Sequence, residues 1–182
     1  MLEDDFLEIL DPVLRAAGSV AEPGDDFRAP PLDVLRYYAR PVRLHWVPFL
    51  GRATSVVAVA RQPVDIGFST ADYLRFQARL AMAASGRFPP GRKGRGLVIG
   101  LTTVVLTPEP IGPNDDTVLG TVLVGLRRLR TVPLGILRLN LGQEALAFSL
   151  ASSPDNLFPE AAALADALSL HFRRFVPLIA GD

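Results

Sequence analysis

Apolar positions recur along this chain with two different periods, and the switches between them mark out its elements. Over 2–17, Phe6, Ile9, Leu10, Val13, Leu14 and Ala17 fall at helical spacing. Pro12 interrupts the run. Asp11 can cap a fresh start with Pro12 in its first position, so the pattern predicts a kinked or two-piece helix ending at Gly18. Residues 19–30 are polar and rich in glycine and proline, and read as a loop. A short helix is predicted over 31–40, with Val34, Leu35 and Tyr38 inward. The period then becomes two: Val42, Leu44 and Trp46 alternate with Arg43, His45 and Val47, giving a strand that turns at Gly51 and returns over 54–60. Ser69-Thr70-Ala71-Asp72 has the form of a capping box, opening a helix to about residue 85 that buries Tyr73, Phe76, Leu80 and Ala84.

The run 97–107 is almost continuously apolar and rich in β-branched residues, as a central strand buried on both faces would be. Prolines break it over 108–113. In 114–130 the signals compete: an inner stripe of Leu119, Val122, Leu123, Leu126 and Leu129 behind Asn114 and Asp115 as caps predicts a helix, against two glycines and several β-branched residues. A second hairpin follows over 132–141 and 144–151, turning at Gly142-Gln143. A last helix over 158–175 places Leu164, Leu168, Phe172 and Phe175 inward. The sum is an α+β fold, an antiparallel or mixed sheet of about five strands flanked by helices.

The two hairpins invite comparison. Leu50-Gly51-Arg52 and Leu141-Gly142-Gln143 both read as turns, and Pro63 and Pro154 lie equally far beyond their glycines. The same offset pairs Leu35-Arg36 with Leu126-Arg127 and Ala60 with Ala151. The chain therefore reads as one domain, 1–182, with an internal repeat of 31–107 and 115–176. Homologous halves would make 114–130 helical because 31–40 is. In element order, chiefly that of its second half, the chain resembles the small α+β chaperones of type III secretion, a likeness that no motif carries.

Composition narrows the function classes. The chain has 182 residues, enough for one domain that needs no disulfide or metal to hold it together. It has no cysteine, which removes disulfides and thiolate chemistry. Nineteen basic and nineteen acidic residues cancel, leaving no global field to draw nucleic acid. Lys93 is the only lysine, a bias that suits a GC-rich bacterial gene. The start, Met1-Leu2-Glu3-Asp4-Asp5-Phe6, is acidic where a signal peptide is basic. The longest uncharged run, 96–108, is too short to span a membrane, which needs about 20 residues. A cytoplasmic location is expected. Hydrophobic residues make up 49% and the mean hydropathy is +0.27, an excess that predicts surface covered by a partner, most simply a second copy of the chain.

One loop carries candidate chemistry. Pro90 precedes Gly91, Arg92, Lys93, Gly94, Arg95 and Gly96, a backbone-rich cationic segment of the kind that holds phosphate-bearing ligands. Its spacing is neither a phosphate-binding Walker loop nor a dinucleotide fingerprint, and it leads into a strand instead of a helix. His45 and His171 lack a carboxylate and a nucleophile nearby in sequence. Asp115-Asp116 could offer oxygens to a metal, but a helix start explains them better. Arg127, Arg128 and Arg130, like Arg173 and Arg174, fall at predicted helix ends, and together with the loop they would make a basic patch. No nucleophile elbow is present, and no cofactor or metal is implied. The expectation is a non-enzymatic protein-interaction or homodimeric module. An anion- or nucleotide-binding domain using 90–96 is the alternative, followed by an enzyme with His45 at a sheet-face pocket.

Overall fold

A computed structural model of the chain describes residues 1–27, 32–43, 52–88, 98–126, 131–151 and 158–174. Among these residues the order is α1 (Glu3–Ala16), β1 (Val20–Pro23), a 3-10 turn (Gly24–Asp26), β2 (Asp33–Arg43), β3 (Arg52–Arg61), α2 (Thr70–Arg87), β4 (Val98–Leu106), α3 (Asp115–Gly125), β5 (Thr131–Asn140), β6 (Ala145–Leu150), α4 (Glu160–Ser169) and β7 (Arg173–Arg174). The fold is α+β, with seven strands in one mixed sheet, laid out in chain order.

The connections dictate the layers. The strands β3, β4 and β5 are parallel, joined by α2 and α3. Both crossovers step the same way across the sheet, so right-handed connections put both helices on one face. There Tyr73, Phe76 and Leu80 of α2 join Leu119, Val122 and Leu123 of α3 in one core. The strand β6 runs antiparallel to β5 and parallel to β7, so the same handedness carries α4 to the other face. There Leu164 and Leu168 pack with Phe6, Leu10 and Leu14 of α1. The sheet is thus covered on both sides, and β4, at its centre, is buried along almost its whole length.

Several sequence expectations are corrected. The helix α1 is one continuous helix; Pro12 and the Glu8 carbonyl it deprives of a donor both lie at exposed positions, where water can serve. Asp11 does not cap. Its carboxylate accepts from the Tyr38 hydroxyl at 2.6 Å and from Arg36 at 3.0 Å. Burial pulls the Asp11 pKa up, but these two bonds outweigh it and leave the group below its ordinary value. Gly18 ends the helix at φ 82°, where Gly18 N–H donates to Arg15 and Ser19 N–H to Leu14, closing a left-handed cap. The expected loop 19–30 contains β1. Where a helix was expected over 31–40, residues 33–40 are instead part of β2, which β3 pairs along its whole length. Tyr37 and Tyr38 are both buried because each faces a helical layer, and a bulge between Val34 and Arg36 shifts the alternation. Two-sided burial erased the period. The helix α4 stops at Ser169, short of the expected 175, and Arg173–Arg174 pair with β6. The expected α+β class and mixed sheet hold, with seven strands among the described residues, roughly in line with the expected five or so.

The helix α2, the central strand, the second hairpin and the helical state of α3 fall where the pattern put them. The argument from 31–40 gave the right answer for α3 for a wrong reason, since that segment is a strand. With β1 set aside, the order helix, hairpin, helix and strand occurs as α1, β2–β3, α2, β4 and as α3, β5–β6, α4, β7, units whose first member starts well before the expected 31–107. Each unit's first hairpin strand sends an arginine to the other unit's second helix. Arg40 of β2 donates to Glu160 of α4 at 2.6 Å, and Arg138 of β5 donates to the Tyr73 hydroxyl of α2 at 3.1 Å.

Candidate functional site

In a sheet with parallel strands, ligands are usually held at the carboxyl ends, where helix N-termini converge. Here that place lies beyond β3, β4 and β5, at the starts of α2 and α3, and Arg138 is its centre. Arg138 is completely buried. A guanidinium cannot leave water without partners, because the cost of an uncompensated buried charge is several kcal/mol or more. The β4–α3 segment supplies them. Arg138 Nη1 donates to Asp115 at 2.5 Å and to the Pro110 carbonyl at 3.1 Å, and Nη2 donates to Glu109 at 2.9 Å. Its Nε bond to Tyr73 continues to Gln62, whose side chain accepts from the Tyr73 hydroxyl at 2.7 Å and donates to the Ile66 carbonyl. The Phe68 ring lies against the guanidinium, 4.0 Å from its carbon to the ring centre.

The same segment is tied down once more. Asn140 donates to the Pro108 and Glu109 carbonyls and accepts from Gln143 N–H, while the Gln143 side chain accepts from Ile111 N–H. Burial raises the Asp115 pKa from its ordinary value; a backbone bond at Gly112 and the Arg138 charge pull the other way without overcoming it. Burial likewise raises the Tyr73 phenol, so it acts as a neutral donor at physiological pH. The cation and the start of α3, which together could hold a foreign anion, are occupied by the chain's own Asp115 and Glu109. Chemically, the arrangement clamps two loops onto the sheet.

Sequence reasoning missed Arg138. The signal was present: one charged residue between Leu137 and Leu139, inside an apolar strand, requires buried partners. Asp115 and Asp116 do lie in the first turn of α3 as expected, but they face different partners. Asp116 accepts from Phe148 N–H at 2.8 Å and from Arg174, which also lies over the Phe148 ring. Asn114 makes no side-chain capping bond. Gly91, Arg92, Lys93, Gly94, Arg95 and Gly96 lie outside the described residues, as do His45, Gly51, Arg127, Arg128 and Arg130. His171 is exposed beyond the end of α4. Among the described residues no three histidine, aspartate or glutamate side chains converge as metal ligands. Among these residues, too, no helix is long and apolar enough to cross a membrane.

Several recesses lie on the described surface. One of about 150 Å³ lies between Leu134, Leu150 and Phe158. Another, of about 120 Å³, sits by Asp65, Asp72 and Arg75 at the start of α2. An open depression of about 400 Å³ lies among Glu144, Leu170, His171 and Arg173. No family model, characterised protein or solved structure matches this chain. The likeness in element order to type III secretion chaperones therefore carries no functional weight.

Proposed function

We propose that this protein is a binding module that self-associates as a homodimer through the end of the molecule formed by the start of α1, the end of α4 and the segment after β3. The observation that carries the reading is the gathering of exposed apolar side chains there. Leu2 is 74% exposed, Leu170 84%, and Val64 is fully exposed. They share one end because Phe6 packs edge-on against Phe172, and because Arg61 bonds both carboxylate oxygens of Glu3. The surface also carries both signs of charge. Asp4 and Glu8 on α1, and His171 and Arg173 beyond α4, are exposed and engaged in no ion pair among the described residues. A two-fold axis through such a patch sets the acidic half of one copy against the basic half of the other. The depression beside Leu170 offers room for an apolar side chain of the partner.

Sedimentation equilibrium tests this. The full chain should show a dimer mass at micromolar concentration, and Leu170→Asp should return it to a monomer that keeps its circular dichroism spectrum and melts independently of concentration. A monomer at every concentration would reject the reading.

A further inference from the structure

Four buried side-chain atoms among the described residues have no hydrogen-bond partner, and three of them lie under the first turn of α4: Ser55 Oγ, Thr102 Oγ1 and Glu160 Oε2. The sheet register brings them together. Ser55 of β3 is paired with Arg40 on one side and with Gly100 on the other, and Thr102 lies two residues beyond Gly100. Both point to the α1–α4 face, since Val57 and Val104, two residues further along their strands, are in that core. Thr102 is in turn paired with Gly135, and a Cβ on Gly135 would stand 3.4 Å from the Ala161 side chain. The first turn of α4 therefore sits over Thr102, and Glu160 is its first residue. Phe158 and Leu134 close over Gly100, where a Cβ would come within 2.8 Å and 2.6 Å of them, and shield that side from solvent.

We infer that an internal site beneath α4 holds ordered water bridging Ser55, Thr102 and Glu160. The chemistry of the walls selects the occupant. Glu160 spends one oxygen on Arg40 and keeps the other as an acceptor, so the pair is already neutralised. A cation would meet the arginine, and an anion would meet the carboxylate; a neutral donor–acceptor meets neither objection. Two hydroxyls can each donate or accept, and the unpaired amides of a helix's first turn add donors. Diagonal neighbours on one sheet face stand about 7 Å apart, more than the roughly 5 Å between oxygens that one water bridges with two hydrogen bonds of about 2.8 Å, so the hydroxyls lean together over a single water or are linked by two. Leaving three such atoms dry would cost far more than immobilising a water. The site is independent of the proposed dimer surface, which lies at the other end of α4.

A high-resolution crystal structure of the full chain tests it. Solvent density within hydrogen-bond distance of at least two of the three oxygens is expected; an empty space, or a side chain filling it, would overturn the inference. A second measurement uses Ser55→Ala combined with Thr102→Val, which keeps shape and removes both hydroxyls. With bridging water the thermal midpoint falls by several degrees, because the solvent loses its partners. With dry, unpaired hydroxyls the midpoint stays or rises, which would equally overturn it.

Discussion

Removing the charge at the carboxyl end of the sheet should be among the most damaging single changes in this chain. Arg138→Met keeps most of the side-chain volume and its contact with Phe68 but strands Asp115, which is 7% exposed, and takes a donor from the Pro110 carbonyl and from the Tyr73 hydroxyl, which keeps its bond to Gln62. Breaking a buried ion pair by deleting one partner costs about 3–5 kcal/mol, mostly from the charge left behind. Glu109 is more exposed and can turn to water, so the loss falls on Asp115 and the value taken is about 4 kcal/mol. For a domain of this size each kcal/mol moves the melting point by roughly 2–4 °C, so the midpoint should fall by about 8–16 °C. Urea unfolding followed by circular dichroism, at neutral pH, measures the loss. The double variant Arg138→Met with Asp115→Asn should recover at least about 1 kcal/mol, since it leaves no buried charge. A loss under about 1 kcal/mol for the single variant would mean that the guanidinium is solvated, and the lock described here would not exist.

Acid should weaken the fold through carboxylates that are held below their ordinary pKa. Glu3, held down by its bonds from Arg61, and Asp11 contribute stability that is full above their unfolded values near about 4 and is lost as pH falls through their lower folded values. Glu3→Gln with Asp11→Asn should therefore flatten the acid limb of a melting-point-against-pH curve; an unchanged limb would refute the assignment. Asp115 runs the other way: its raised pKa gives stability that is full at low pH and lost as pH rises through the folded value, so Asp115→Asn should remove that opposing slope. Gly24→Ala should prevent normal folding, because a Cβ would stand 1.6 Å from the Val34 carbonyl oxygen, a backbone atom that cannot step aside; a variant with a wild-type melting point would contradict the close approach. Leu164→Ala, at a site with no solvent exposure between α4 and the sheet, should cost about 2–5 kcal/mol in urea titrations, and a cost below 1 would mean that the α1–α4 core is loosely packed.

What could be read from the chain divides along burial. The helix α2 is legible because one side faces solvent: Ser69 caps it through Asp72 N–H, and Tyr73, Phe76, Leu80 and Ala84 repeat at helical spacing. The strand β4 is legible because its residues are almost all apolar or β-branched, with no charge to interrupt them. The strand β2 is not, because two helical layers claim its alternate residues and the bulge at Leu35 breaks the phase. Local pattern carries no mark of the second layer. The candidate site was missed for a related reason. Its members come from 62–73, 109–115 and 138–143, and only the sheet brings them together. Arg138 alone announced it, as a charge in an apolar strand. The basic glycine loop drew attention instead because composition is visible locally and partnership is not.

The central claim is that the exposed apolar end bearing Leu2, Val64 and Leu170 closes against a second copy of the chain. Amide hydrogen exchange at dilute and concentrated protein tests it most directly. Moving from the monomeric to the dimeric range should slow exchange in the first turn of α1 and around 169–173, while the outer faces of α2 and α3 stay unchanged. Exchange that is independent of concentration throughout, or protection confined to α2 and α3, would contradict the account.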